Sequence, residues 1–278
     1  MRTQHNPLRT STAPYQYKDI VFVVVTHLPC NDPTGYHVER MKVVQTCLQT
    51  MRAGAKREHT FLVWDNGSNS TYRDWLQHIF EPDILIMAQN IGKNLARASA
   101  IQMLPLGSVV CYSDDDMYYS DNWLNPQMEL LYHFPNVAAV SGDPIRSMMR
   151  WGNTNTLAWA RKNAKVEQGR YISKEYEMEY ADSIGRSHAD HVQNTLKDFD
   201  YRIVYNGKKA YATAHHAQFI GHAVKIIPAL NRDGMAMGDE KVLDIALDMQ
   251  GLRLCTTERY VRHIGNVLDE SFRKEGVL

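Results

Sequence analysis

The sequence predicts a single α/β domain in which a mostly parallel sheet is flanked by helices. The chain has 278 residues, 44% of them hydrophobic, which is enough for one large domain with a full core. Its N-terminal half contains continuous runs rich in β-branched residues, typical of strands buried on both faces of a parallel sheet. Helical patterns alternate with these runs, and the alternation implies right-handed crossovers between parallel strands.

The predicted elements follow one another from residue 19 onward. Residues 1–18 are polar and lack periodicity, so we expect a flexible arm there. Strands are predicted at residues 20–25, 60–64, 83–87, 108–112 and 137–140. Helices are predicted between them at residues 37–51, 72–80, 93–103 and 123–132. A helix that ends at Gly251 and a strand at residues 252–255 follow near the C-terminus.

The composition argues against several classes of partner and site. The 31 basic and 31 acidic residues give a formal charge of zero, so no global field attracts nucleic acid or an anionic membrane. The four cysteines lie far apart without a C-x-x-C pair, which indicates buried thiols in a reducing compartment rather than disulfides or a zinc site. No apolar window approaches the length of a membrane span, so we expect a soluble, cytoplasmic protein.

Three predicted strands carry polar residues at their carboxyl ends. These residues are Thr26 with His27, Asp65, and the triplet of Asp114, Asp115 and Asp116. In open parallel sheets ligands bind where such strand ends meet, so this edge of the sheet is a candidate site.

The aspartate triplet is the strongest local signal. Adjacent carboxylates repel one another, so a triplet is stable either in a solvated turn or around a hard cation that prefers oxygen ligands. In an extended segment residues i and i+2 face the same way, so Asp114 and Asp116 could serve one ion while Asp115 points elsewhere. An ordinary acidic turn is the alternative, since Asp is among the commonest turn residues.

The sequence changes character after residue 142. Residues 143–174 are basic and contain three large aromatic side chains, whereas residues 175–200 are acidic. A basic, aromatic segment suits sugar stacking, an anionic acceptor, or nucleic acid with bases stacked on the rings. A pair of amphipathic helices with solvated charges explains the same pattern. His188 and His191 could share a helix face, but no third metal-ligating element accompanies them at a familiar spacing.

A second acidic cluster precedes the last predicted helix. Gly238 is followed by Asp239 and Glu240, and the helix runs to Gly251. Acidic residues are favourable at the positive N-terminus of a helix, so capping alone would explain the pair. His263 lies in a final short element beyond the strand at residues 252–255.

Four motifs, taken in order, resemble those of nucleotide-sugar glycosyltransferases of the GT-A fold, most closely glycosyltransferase family 2. They are the opening strand to Thr26, residues 64–68, the turn at residues 90–94 before a helix of small residues, and the Asp-x-Asp of residues 114–116. The resemblance covers roughly residues 19–142 and a shorter C-terminal piece. The sequence has no glycine-rich phosphate loop, which argues against dinucleotide dehydrogenases and P-loop kinases.

The resemblance implies a donor-binding half at residues 19–142 and an acceptor-binding half at residues 143–278. Asp114 and Asp116 would hold Mn²⁺ or Mg²⁺ on the donor diphosphate, and His263 falls where a C-terminal histidine completes the metal site in many such enzymes. The family's residue at the position of Asp65 accepts the nucleobase N3–H. Uracil has that donor and cytosine does not, which favours a UDP-sugar over a CMP-sugar.

Further donor contacts are expected from Thr26, His27, Asn90, Lys93, Arg97, Asp114 and Asp115. Lys93 and Arg97 lie on the predicted helix after the turn at residues 90–92 and could approach phosphate or sugar, although solvated helix charges would look the same.

The resemblance also implies a catalytic base at the start of the last helix. The family carries a Glu-Asp pair whose second member is the base, and counting back from Gly251 places Glu240 there. The order here is Asp-Glu, so Asp239 is the second candidate. A carboxylate base fits inverting transfer, because it takes the proton from the attacking acceptor hydroxyl.

The sequence therefore predicts a metal-dependent inverting glycosyltransferase that moves a sugar from a UDP-sugar to a hydroxyl of a glycan, lipid or small molecule. One alternative is a DNA-modifying glycosyltransferase that acts on a hydroxylated base, which the basic segment suggests. A nucleotidyltransferase also uses paired aspartates and metal, and a non-catalytic nucleotide-sugar binder would need the acids at residues 239 and 240 only as a helix cap.

Overall fold

The computed structural model describes residues 16–30, 38–230, 240–266 and 268, which form one α/β domain. Its strands are β1 (Ile20–Thr26), β2 (Thr60–Asn66), β3 (Ile84–Ala88), β4 (Val109–Ser113), β5 (Met117–Tyr119), β6 (Val137–Ser141), β7 (Lys165–Gly169), β8 (Asp200–Tyr205), β9 (Lys208–Tyr211), β10 (Gln218–His222), β11 (Leu252–Cys255) and β12 (Val261–His263). Its α-helices are α1 (Arg40–Gly54), α2 (Ser70–Trp75), α3 (Lys93–Gln102), α4 (Leu124–His133), α5 (Thr154–Asn163), α6 (Lys174–Ser183), α7 (His188–Thr195), α8 (Ala223–Ile226) and α9 (Glu240–Gln250).

Within the described ranges, ten strands form one mixed sheet in the order β3-β2-β1-β4-β10-β6-β11-β9-β8-β7. Only β10, β9 and β7 run against the others, so the predicted class, a mostly parallel sheet with flanking helices, is confirmed. Alternate residues of β1 point to opposite faces of the sheet. Phe22 and Val24 pack toward α1 and α4, whereas Val21 and Val23 pack toward α3 and α9.

Strand register brings the predicted polar ends together. Thr26 of β1 is paired with Asp65 of β2, and Val24 of β1 is paired with Ser113 of β4. The aspartate triplet leaves β4 directly after Ser113, so it emerges beside the ends of β1 and β2. The candidate site therefore lies at the carboxyl edge of the parallel half of the sheet.

A separate two-stranded ribbon carries the C-terminal histidine to the same edge. In this ribbon β12 pairs antiparallel with β5, and His263 lies opposite Met117. The backbone N–H of Ile264 also donates to the carbonyl of Asp116 at 2.9 Å. The ribbon thus places His263 next to the last residue of the triplet.

Strand β10 is not predicted by the sequence, and it crosses the sheet antiparallel between β4 and β6. Two of its residues, Gln218 and Gly221, serve packing inside the sheet. Gln218 is fully buried and joins Gly142 to Gln127 through hydrogen bonds of 2.9 Å. A Cβ at Gly221 would lie 2.2 Å from the carbonyl oxygen of Ala138, so the glycine permits close strand packing.

Two further findings concern the described residues as a whole. Their helices include none that is both long and apolar enough to cross a membrane. All four cysteines are free thiols, and three of them, Cys47, Cys111 and Cys255, are buried as expected.

Candidate active site

The first residue of the triplet, Asp114, is held by a lysine and a tyrosine. Its Oδ2 accepts a hydrogen bond of 2.6 Å from Nζ of Lys93, and its Oδ1 accepts one of 2.7 Å from the hydroxyl of Tyr112. Burial lowers the pKa of Lys93, but the charge and hydrogen bond of Asp114, together with the charge of Asp116, raise it by more, so the net pKa lies above the ordinary value. Both oxygens of Asp114, a predicted metal ligand, are therefore already engaged by donors.

The second residue, Asp115, faces the interior instead of the cleft. It forms an ion pair with Arg40 of α1 and accepts a hydrogen bond of 3.2 Å from the backbone N–H of His27. The side chains of both ion-pair partners are only 10% exposed. The predicted donor contact for Asp115 is thus corrected, because its carboxylate ties the end of β4 to α1 and β1.

The third residue, Asp116, faces His263. Its Oδ2 lies 3.5 Å from Nε2 of His263, and its Oδ1 is buried without a hydrogen-bond partner among the described residues. Burial raises the pKa of Asp116, but the charge of His263 and the charges of Arg40 and Lys93 lower it by more. Conversely, the pKa of His263 is lowered by burial and raised by more through Asp116. The two pKa shifts show that Asp116 and His263 stabilise each other's charged forms. Among the described residues, Oδ1 of Asp116 remains without a hydrogen-bond partner.

A divalent cation fits Asp116 and His263 but not the whole predicted ligand set. Among the described residues no group of three or more His, Cys, Asp or Glu side chains is arranged to hold a metal ion. Asp114 is turned toward Lys93, so the structure offers two protein ligands rather than three. Mg²⁺ and Mn²⁺ sites commonly complete their coordination with water and substrate phosphate, and the orphaned Oδ1 of Asp116 suits that arrangement. A cavity of about 630 Å³ opens beside these two residues.

Asp65, the residue expected to contact the nucleobase, is held by protein donors in the structure. The Asp65 side chain is fully buried, and it accepts hydrogen bonds from the backbone N–H of Ser68 at 3.0 Å and from Nε of Arg73 at 2.5 Å. Arg73, which sequence analysis missed, instead lines a cavity of about 460 Å³ together with Gly67 and Asn90. No sequence motif marked Arg73, which lies eight residues after Asp65, in α2.

The other residues predicted at the donor end divide into exposed and buried ones. His27 lies 2.9 Å from the carbonyl of Asn66 through Nδ1 and 3.4 Å from the Asn90 amide through Nε2. Asn90 lines the cavity beside Arg73. Thr26, which was predicted to contact the donor, is fully buried at the end of β1 behind the site.

Arg97 does not lie where the sequence placed it. Its side chain is 1% exposed, donates to Asn94 at 2.7 Å and lies over the ring of Tyr112 at 5.3 Å. Arg97 is therefore not a solvated helix charge, since it is buried under Tyr112, the residue that holds Asp114.

Lys93 connects the triplet to the predicted catalytic base. Its Nζ lies 2.6 Å from Asp114 and 3.9 Å from Oε1 of Glu240, the first residue of α9. Asp239, the second candidate base, lies outside the described residues. A cavity of about 250 Å³ opens next to Glu240 and is lined by Ser147, Met148, Arg150, Trp151, Tyr180, Arg186, Asn194, His216, Glu240, Lys241 and Asp244.

Two arginines of the basic segment pair with the acidic segment that follows it. Arg146 pairs with Asp200 at 2.7 Å and lies 3.8 Å from Glu177, while Arg150 pairs with Asp198 at 2.6 Å. These internal pairs remove part of the free charge that suggested a nucleic-acid acceptor.

The histidines of the acidic segment are structural. His191 is fully buried against Glu177 at 2.9 Å, whereas His188 faces Asp182 at 2.8 Å on the surface. The two imidazoles therefore have separate partners and do not form a shared metal site.

Comparisons with known proteins give remote structural similarities. No protein-family model and no curated protein matches the chain. S. aureus TarS 1-349 is similar at 9% sequence identity with a TM-score of 0.47, over 87% of this chain and 59% of that chain. The mannosyltransferase PcManGT from Pyrobaculum calidifontis, in complex with GDP-Man and Mn²⁺, is similar at 17% identity with a TM-score of 0.33, over 48% of this chain and 39% of that chain.

This chain thus spans less than two thirds of either structure's length. Both TM-scores lie below 0.5, so neither similarity assigns an activity to this chain.

Proposed function

We propose that this chain is a divalent-metal-dependent glycosyltransferase that moves a sugar from a nucleoside diphosphate sugar to an acceptor hydroxyl. One observation carries the proposal. Lys93 contacts Asp114 at 2.6 Å and approaches Glu240 at 3.9 Å, while the neighbouring Asp116 faces His263. Residues far apart in the sequence therefore supply a cation, a potential metal pair and a carboxylate at one edge of the sheet.

The donor diphosphate would lie beside Asp116, His263 and Lys93. Asp116 and His263 would hold Mn²⁺ or Mg²⁺, which when bound stabilises the negative charge that develops on a departing diphosphate. Lys93 adds a fixed positive charge near the same place, and its raised pKa keeps it charged. We propose a UDP-sugar as the first donor to test, with the base in the cavity beside Arg73 and Asn90.

The acceptor would enter the cavity beside Glu240. Trp151 lines this cavity and is 49% exposed, so its ring is available for stacking against a sugar or another flat apolar face. Inversion requires that the acceptor oxygen attacks the anomeric carbon opposite the leaving diphosphate, while a base in the cavity takes its proton. Glu240 is the candidate that sequence analysis supplies for that base.

Calorimetry tests the donor site directly. We expect wild-type protein to bind UDP at micromolar concentration in the presence of Mn²⁺ and much more weakly without it. The Asp116→Ala variant should lose the Mn²⁺-dependent gain in UDP affinity. Asp121→Ala is the matched control, because Asp121 is exposed and pairs only with Lys56 at the surface. Equal UDP binding with and without metal, unchanged in Asp116→Ala, would reduce the triplet to a structural turn.

Product analysis separates the proposal from its rivals. A glycosyltransferase releases UDP from a UDP-sugar, whereas a nucleotidyltransferase releases pyrophosphate from a nucleoside triphosphate. A non-catalytic binder would bind UDP and release neither product. Incubation with a panel of UDP-sugars and, in parallel, with nucleoside triphosphates distinguishes the three outcomes.

A further inference from the structure

A histidine held by a buried carboxylate lines the proposed acceptor cavity. His216 lies just before β10, and its Nδ1 is 3.1 Å from Oδ2 of Asp244. Asp244 is four residues after Glu240 on α9, so the two acids share one helix face. His216, Asp244 and Glu240 all line the cavity of about 250 Å³. The cavity therefore contains an oriented imidazole in addition to the carboxylate that the sequence predicts.

Asp244 is held in its ionised form. It is 1% exposed, and its Oδ1 forms an ion pair with the buried guanidinium of Arg253. Burial raises the pKa of Asp244, but the charge of Arg253 and the hydrogen bond to His216 lower it by more. An ionised carboxylate can only accept hydrogen bonds. The hydrogen bond between the two residues must therefore be donated by Nδ1–H of His216.

This hydrogen bond determines the tautomer of the imidazole. In a neutral ring that carries its proton on Nδ1, the lone pair is on Nε2. In the described part of the chain, no residue forms a hydrogen bond with Nε2 of His216, and the side chain is 21% exposed at the cavity. His216 thus presents a proton-accepting nitrogen to whatever occupies the cavity.

The pair of His216 and Asp244 is supported by a buried arginine, Arg253. Arg253 is fully buried and also donates through Nη1 to the carbonyl oxygens of Trp151 at 2.9 Å and Gly152 at 2.6 Å. It therefore ties Asp244 to the segment that carries Trp151 on the cavity wall. A buried ion pair is not by itself a strong source of stability. Here the pair of Arg253 and Asp244 fixes the orientation of the His216 imidazole.

We propose that His216 is the catalytic base of the transfer and that Asp244 is its positioning residue. This inference rests on the proposed function. Nε2 of His216 takes the proton of the acceptor hydroxyl as the acceptor oxygen bonds to the anomeric carbon. The bond from that carbon to the diphosphate oxygen breaks, and its electron pair leaves with the nucleoside diphosphate. In this assignment Glu240 is the ion-pair partner of Lys93, whose Nζ lies 3.9 Å from its carboxylate.

Donor hydrolysis tests the base without knowledge of the natural acceptor, because water replaces the acceptor hydroxyl. The probes are UDP-glucose, UDP-galactose and UDP-N-acetylglucosamine with Mn²⁺, and released UDP is measured. His216→Gln should lower kcat by roughly 100-fold or more, the usual contribution of a general base, with UDP affinity unchanged. His222→Gln, a histidine on β10 outside the cavity lining, is the matched control.

Chemical rescue distinguishes a base from a structural residue. Added imidazole should restore hydrolysis to His216→Ala, because it can enter the vacated space and accept the proton. The inference is overturned if His216→Gln keeps more than about a tenth of the wild-type kcat, given the 100-fold expectation. It is also overturned if formate rescues Glu240→Ala while imidazole fails to rescue His216→Ala.

The tautomer can be read without turnover. Nitrogen-15 NMR of labelled imidazoles in the wild-type protein should show His216 protonated at Nδ1 and unprotonated at Nε2, with His216→Gln identifying the resonance. A proton on Nε2 overturns the inference even if no donor is hydrolysed. A wild type that neither binds UDP nor hydrolyses a donor overturns the proposed function, and His216 as its base falls with it. UDP binding combined with a failed rescue overturns His216 alone.

Discussion

Replacing Asp115 by asparagine should destabilise the fold, although Asp115 lies between two residues of the proposed donor site. Asp115 is 7% exposed and Arg40 is 8% exposed, so their ion pair is almost completely shielded from water. Neutralising Asp115 leaves Arg40 as a buried cation whose Nη1 already has no hydrogen-bond partner in the described part of the chain. Removing one partner of a buried ion pair costs about 3–5 kcal/mol. For a chain of this size, that loss corresponds to a fall of roughly 6–20 °C in Tm.

The assay is thermal unfolding followed by circular dichroism, together with urea denaturation to obtain the free energy of unfolding. Asp121→Asn is the control, since the Lys56–Asp121 pair is solvent-exposed and should change the stability by less than about 0.5 kcal/mol. Adding Arg40→Met to Asp115→Asn should recover much of the lost stability, because the unpaired cation is then gone.

Two outcomes would contradict the assignment of Asp115 as a structural partner of Arg40. If Asp115→Asn unfolds at the wild-type temperature but binds UDP with Mn²⁺ poorly, its carboxylate contacts the ligand and is not a structural partner of Arg40. If the double variant is no more stable than Asp115→Asn, the unpaired cation is not the cause of the loss.

Three further perturbations test other parts of the structure. His263→Gln should weaken Mn²⁺-dependent UDP binding by roughly 10- to 100-fold in calorimetry and leave metal-free binding unchanged; an unchanged Mn²⁺ dependence would remove His263 from the metal site. Burial lowers the pKa of His215 below its ordinary value of 6.5, so between these pKa values only the unfolded chain binds the proton and stability falls as the pH falls. His215→Asn should therefore lose less unfolding free energy than wild type between about pH 7.5 and 5.5 in urea titrations, and an equal slope would contradict this. Asp248→Ala removes the acceptor of the backbone N–H groups of Asn155 at 2.8 Å and Thr156 at 3.0 Å and of the Thr156 hydroxyl at 2.6 Å. It should cost about 3–5 kcal/mol in urea denaturation, whereas a loss under 1 kcal/mol would show that water replaces these contacts.

The parallel half of the fold could be predicted because its signals are local. Apolar runs at β1, β2 and β4 match strands buried on both faces, and the polar residues that end them mark the edge where the site lies. Parallel register then brings Thr26 beside Asp65. The class and the location of the candidate site both followed from these short stretches.

The antiparallel part was missed because its strands are short and partly polar. Strands β8 and β9 nevertheless carry a usable signal, since Asn206 and Gly207 connect them with φ angles of 45° and 81°. Two adjacent residues with positive φ form the turn that suits a tight hairpin, and Asn-Gly is its commonest sequence. Strand β10 has no comparable signal, because its insertion between β4 and β6 depends on pairing with distant strands.

The sequence by itself determined which residue types stand at the edge of the sheet: an aspartate triplet, a lysine after the turn at residues 90–92 and an acid at the start of α9. Only the tertiary structure decided their partners. Asp115 pairs with Arg40, and Asp116 faces His263 across the ribbon of β5 and β12. The physical reason is that a charge at a strand end must be neutralised or hydrated. Which side chain neutralises it depends on long-range packing that no local pattern encodes.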